Sequence, residues 1–87
     1  MKKEITSEDY YKKARQFASQ HQVTVSEHII DVMASVMMTR DGFQMGGSFV
    51  TAVVNNKLYE AIGRADNDCL NNIKIIALCG KDCFINY

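Results

Sequence analysis

The segment Arg40-Asp41-Gly42-Phe43-Gln44-Met45-Gly46-Gly47-Ser48-Phe49 gathers three of the chain's five glycines with an arginine and two phenylalanines. Its last residues include a serine suited to opening a helix. Glycine lets a backbone take positive φ and approach a ligand closely, and a following helix offers unpaired N–H groups to an anion. The chemistry this suits is phosphate binding, with Arg40 and Arg64 as cationic partners and an aromatic ring as a stacking plane for a base. Phe43 can supply that ring, and so can Tyr10 or Tyr11, which are adjacent and point about 100° apart on a helix. One tyrosine can then pack inward while the other faces out beside Lys12 and Arg15. The candidate ligand set is therefore Tyr10, Tyr11, Lys12, Arg15, Arg40, Phe43, Gly46, Gly47, Ser48 and Arg64.

The same segment has a purely architectural reading. Gly42 ends a helix, Phe43 plugs the core, and Gly46 and Gly47 make room for a close helix crossing. Gly-x-x-x-Gly-Gly is not a P-loop, because no Gly-Lys-Ser/Thr ending follows. Gly63 sits beside Arg64 in a small-residue stretch, and a helical glycine costs about 1 kcal/mol relative to alanine, so close approach of a backbone or a ligand is expected there.

Catalysis and metal chemistry find less support. No serine or cysteine sits in a nucleophile signature, and Asp66 and Asp68 fall on different helix faces. Glu60 and Arg64 are expected to form an i,i+4 surface pair. His21 and His28 lie seven residues apart, and Cys79 and Cys83 one helical turn apart, so a two-plus-two metal set can be drawn. It lacks Cys-x-x-Cys spacing, and cysteines on an apolar seam serve as small core residues. The expectation is a binding protein with no catalytic residues, metal or cofactor.

Composition narrows the class further. Eighty-seven residues suit one helical domain over 1–87, near the size at which self-association commonly supplements a small core. Ten basic and ten acidic side chains cancel, which argues against duplex DNA as a partner. The amino-terminal end is nevertheless mildly positive, with Lys2, Lys3, Lys12, Lys13 and Arg15 against Glu4, Glu8 and Asp9. Met1-Lys2-Lys3 is followed by acidic residues and no apolar core, so no secretory signal or membrane span is expected. Three cysteines confined to the last third fit reduced thiols in a cytoplasmic protein.

Proline is absent and apolar residues recur at helical spacing, which predicts an all-α fold. The first helix is expected from Thr6, with a Thr6/Asp9 capping box, to about Gln20, burying Tyr10, Ala14, Phe17 and Ala18. The second is expected from the Thr24/Glu27 box to about Thr39. Its stripe of Val25, Ile29, Val32, Met33, Val36 and Met37 should form the centre of the core. After the glycine segment, Ser48 opens a brief helix through Val54. Asn56 then caps a long helix whose seam runs through Leu58, Ile62, Ala65, Cys69, Ile73, Ile76 and Gly80. The architecture expected is a short amino-terminal helix, an antiparallel hairpin with a glycine-rich loop, and a long carboxy-terminal helix, assembled as an oligomer. The apolar end, Cys83 to Tyr87, should dock on the bundle or on a second protomer.

Thr39-Arg40-Asp41-Gly42-Phe43-Gln44, Gly46-Gly47-Ser48-Phe49-Val50, Ala52-Val53, Asn55-Asn56, Leu58, Ala61 and Arg64-Ala65-Asp66 resemble a family of small helical bacteriophage proteins that includes the anti-CBASS sponges. The resemblance spans residues 39–70. It implies a hexamer that binds cyclic di- or trinucleotides between protomers without hydrolysis, blocking CBASS signalling in the cytoplasm of an infected bacterial cell. It also implies base stacking by Tyr11 or Tyr10 and a phosphate contact by Arg64. A lysine that the family carries on its second helix has no counterpart here. Two alternatives stand beside this reading: a phage inhibitor acting by protein–protein contact, anti-CRISPR-like or directed at a host enzyme, and a structural oligomerisation module.

Overall fold

The computed structural model describes residues 4–85, and within them the fold is all-helical. Lys2, Lys3, Asn86 and Tyr87 lie outside the described residues. The elements are α1 (Ser7–Gln20), α2 (Glu27–Arg40), α3 (Ser48–Val54), α4 (Leu58–Arg64), α5 (Asn67–Asn71) and α6 (Ile73–Asp82). The capping box at the start of α1 forms as expected, with the Asp9 carboxylate accepting the Thr6 N–H at 2.9 Å.

Helix α2 is the hub, packing against α1, α3 and α6. Ile29, Met33, Val36 and Met37 are fully buried, as the stripe predicts. Ile30, Ala34 and Met38 on the flanking face are buried too, because neighbours cover α2 on several sides, while Val25 and Val32 are only half-buried at the margin. Three neighbouring methionines suit such a position, since an unbranched thioether fills irregular gaps between helices that cross at different angles. From α6, Ile76 and Cys79 complete the centre, and Gly80 lets the helices approach so closely that a Cβ there would lie 2.8 Å from Val36 Cγ1.

Several starts and stops differ from expectation. Ser26, not Thr24, caps α2, its hydroxyl accepting the Ile29 N–H at 3.3 Å. Asn56 takes a left-handed conformation instead of capping α4, whereas Ser48 opens α3 as expected, with Gly47 at the position before it. The long carboxy-terminal helix expected from the seam is three helices. Ala65 is extended, and the Asp66 side chain accepts the Cys69 N–H at 2.7 Å, a local cap that outcompetes helix continuation. Asn72, at φ −118° and ψ 20°, makes the second break. The breaks rotate the seam: Leu58 and Ile62 face solvent, and Ala61 is the buried residue of α4.

Helices α1, α2 and α3 end in the same motif. After them the chain places Gln22, Gly42 and Asn56 at φ of 56°, 74° and 58°. In each case the next residue's N–H reaches back five residues, as Val23 does to Ala18, Phe43 to Met38 and Lys57 to Ala52. Gln22 is the side chain of the three least suited to that conformation. Gln22→Gly is therefore expected to raise stability by about 0.5–1 kcal/mol, and Gly42→Ala to lower it by about 1 kcal/mol. Urea unfolding midpoints check both; shifts of the same sign at the two positions would contradict the motif.

Candidate functional site

The structure divides the ten candidate residues into those consumed by the fold and those left at the surface. Arg40 belongs to the first group. Its side chain is only 16% exposed, and its Nε and Nη2 fork onto Asp41 at 2.8 and 3.1 Å. Its Nη1 donates to the carbonyls of Gly80 at 3.0 Å and Cys83 at 2.6 Å, with Cys79 at 3.4 Å. These oxygens lie at the end of α6, where the helix dipole also favours a cation, and Cys79 O accepts the Cys83 N–H at 3.1 Å as well. Phe84 covers the guanidinium, its ring centroid 4.2 Å from Cζ. Arg40 thus caps the carboxy-terminal end of α6, and its donors are engaged within the fold.

Tyr10 is consumed by the same junction. It is 3% exposed, donates its hydroxyl to Asp41 Oδ2 at 3.1 Å, and stacks on Phe43 with centroids 5.3 Å apart. Within the described residues the face of Tyr10 is taken by Phe43. Phe43 remains 46% exposed, and its ring shields the Tyr10 contact from one side instead of plugging the core.

The glycine segment is architectural at Gly46. Its N–H donates to Thr39 Oγ1 at 2.9 Å, and an added Cβ would meet Val50 Cγ1, Ser35 Oγ and Thr39 Oγ1 at 2.7–2.9 Å. A Cβ added at Gly47 or at Gly63 would enter open space, so neither glycine serves a close crossing among the described residues. Ser48 is exposed in the first turn of α3.

At the surface, Tyr11 is half-buried on α1 and Lys12 is exposed beside it. Arg15 is paired with Glu27 at 2.8 Å, and that hydrogen bond raises its already high pKa. Arg64 is exposed in the last turn of α4. Glu60, expected to pair with it, has Lys57 Nζ at 3.9 Å. Helix α1 packs on α2 and α6 whereas α4 packs chiefly on α3, so Tyr11 and Arg64 belong to separate parts of the surface. Of three shallow depressions among the described residues, one is lined by Arg40, one by Arg15, and none of the three by two of the ten candidates.

Two features escaped sequence reasoning. Helix α4 carries an exposed apolar face of Leu58, Tyr59 and Ile62, with Tyr59 90% exposed. His28, Asp66 and Cys69 also converge, whereas His21 lies tilted against the Phe17 ring and Cys79 and Cys83 are core residues, so the two-plus-two metal set is not assembled. The Asp66 carboxyl is held below its usual range by the Cys69 N–H and by His28. The Cys69 thiol is pushed up to about 11 by burial and by Asp66, and Cys79 is pushed further up by its hydrogen bond to Cys83 and by burial. That same hydrogen bond lowers Cys83, which is nevertheless buried. None of the three thiols is both low in pKa and exposed, as a nucleophile requires.

Arg40→Ala is expected to destabilise the protein by about 2–4 kcal/mol, because it removes the side-chain donor from the Gly80 and Cys83 carbonyls and the counter-charge from Asp41, which keeps only the Tyr10 hydroxyl of its side-chain donors, and Arg40→Lys should recover little without the planar fork. Chemical denaturation measures both. Gly46→Ala should cost about 1–3 kcal/mol by overpacking, against less than about 0.5 kcal/mol for Gly47→Ala. Reversal of that order would contradict the loop geometry. Comparison with protein-family models, with curated proteins and with solved structures finds no match to this chain.

Proposed function

We propose that the protein is a non-catalytic binding protein that assembles with copies of itself and sequesters cyclic di- or trinucleotides, as an anti-CBASS sponge does inside an infected cell. The observation that carries this reading is the separation of Tyr11 and Arg64. Both keep access to solvent, yet they sit on helices that pack on different partners. A ligand with two bases and two phosphates engages both only at a junction between protomers, where symmetry doubles each contact. The exposed face of α4, with Leu58, Tyr59 and Ile62 on the same short helix as Arg64, is suited to making such a junction. Arg40, Tyr10 and Gly46 drop out of the proposed site because the fold already uses their polar groups. Tyr11, Lys12 and Arg64 remain its principal members, with Arg15, Phe43, Gly47 and Ser48 at its edge.

A second reading, inhibition of a host protein by direct contact, draws on the same α4 face. Three exposed apolar side chains on a seven-residue helix fit a protein surface as well as a second copy.

Isothermal titration with a panel of cyclic di- and trinucleotides, alongside the oligomer mass, separates the two. The sponge reading expects sub-micromolar binding, no turnover and a multimer. Tyr11→Ala and Arg64→Ala should each weaken binding at least about tenfold with helicity unchanged, since base stacking and a charged hydrogen bond are each worth about 1–3 kcal/mol. Ile62→Asp should break the multimer. A monomer that binds no member of the panel would overturn the proposal and direct attention to a protein target.

A further inference from the structure

Using none of the nucleotide candidates, α2 and α5 bring three metal-ligating side chains together. His28 lies in the first turn of α2, Asp66 caps α5 and Cys69 follows within it. Nε2 of His28 is 3.0 Å from Asp66 Oδ2, and the other carboxylate oxygen, Oδ1, accepts the Cys69 N–H at 2.7 Å. One donor atom from each residue lies within 4.8 Å of the other two. Asp66 is therefore held from both sides, and it fixes the imidazole in turn. Cys69 is buried and floors the cluster, while the side chains of His28 and Asp66 are about half exposed, leaving one side open to solvent.

We infer that His28, Asp66 and Cys69 form a site for a thiophilic divalent cation of the zinc class, with three protein ligands and a fourth position open to water. Ordinary zinc–sulfur, zinc–nitrogen and zinc–oxygen bonds arranged tetrahedrally set the ligand atoms roughly 3.4–3.6 Å apart. The short His28–Asp66 edge has to open slightly and the longest edge to close by on the order of 1 Å, which is side-chain rotation with no backbone rearrangement. A thiolate, an imidazole and a carboxylate select zinc-like ions over magnesium and calcium, which take oxygen ligands. Binding releases the Cys69 thiol proton to solvent and keeps His28 neutral. The helix cap and the exposed hydrogen bond need only Asp66 and His28; the thiol beside them turns the pair into a cation-ligand set. A bound ion would tie the start of α2 to α5 and fix the chain two residues beyond Arg64.

The test is titration of the chelator-treated full chain, in reducing buffer, with Zn2+ by calorimetry and with Co2+ by absorption. The expected result is one equivalent per chain, a thiolate-to-cobalt charge-transfer band and the d–d bands of a tetrahedral ion. His28→Gln and Asp66→Asn should each weaken zinc at least about tenfold, and Asn preserves the helix cap. Cys69→Ser should abolish the charge-transfer band; circular dichroism confirms folding, and should this variant not fold, the two exposed substitutions decide. A charge-transfer band that survives Cys69→Ser would assign the metal to Cys79 or Cys83 and overturn the site. So would zinc affinity unchanged by His28→Gln, or no binding at all. Any of these failures leaves nucleotide binding to be judged on its own titration.

Discussion

A single guanidinium holds the ends of this bundle together. A largely buried cation costs several kcal/mol unless its charge and every donor are matched, and Arg40 is matched on all sides. Asp41 supplies the counter-charge, the last carbonyls of α6 supply acceptors at the negative end of a helix dipole, and Phe84 supplies an aromatic face. The Tyr10 hydroxyl then draws α1 onto the same aspartate. Because Asp41 must stay beside Arg40, the chain has to turn immediately afterwards, and Gly42 in the left-handed region makes that turn. Phe43 is thereby delivered onto the Tyr10 ring. Breaking the junction would loosen α1, α2 and α6 at once.

This allocation decides what remains for recognition. The arginine and the tyrosine most suited by type to gripping a nucleotide are spent on structure, and Gly46 gives its N–H to Thr39. What is left lies chiefly on the outer side of α1 and on α4, with the exposed Phe43, Gly47 and Ser48 between α2 and the start of α3. Helix α4 contributes Ala61 to the core and displays its other large apolar residues outward. A short helix that buries so little gains little from its own fold, so its surface is where an additional partner would gain most from burial. The His28–Asp66–Cys69 cluster sits just beyond the end of that helix, where the extended Ala65 redirects the chain.

The local grammar of the chain was legible without coordinates. Helical periodicity, the Thr6/Asp9 box, the turn at Gly42 and the burial of Ile29, Met33, Val36 and Met37 along α2 are all properties of near neighbours in sequence, and they are realised. The breaks at Ala65–Asp66 and Asn72 were not legible, because a step of three or four residues continues across them and only the Asp66 cap reveals that the helix has restarted. The capping role of Arg40 was hidden for a similar reason: its type suits phosphate and a helix end equally, and the carbonyls it caps lie 39 to 43 residues away.

Side-chain spacing and capping chemistry act over a few residues, and they suffice to make this an all-helical chain with methionine-rich burial along its second helix. Which polar groups are free is a different matter, settled by packing. Whether Tyr10, Arg40 or Gly46 can meet a ligand depends on partners brought up by α2, α6 and Thr39, and His28 reaches Asp66 across 38 residues. A side chain's chemistry is local, but its availability is set by what the packed chain places beside it.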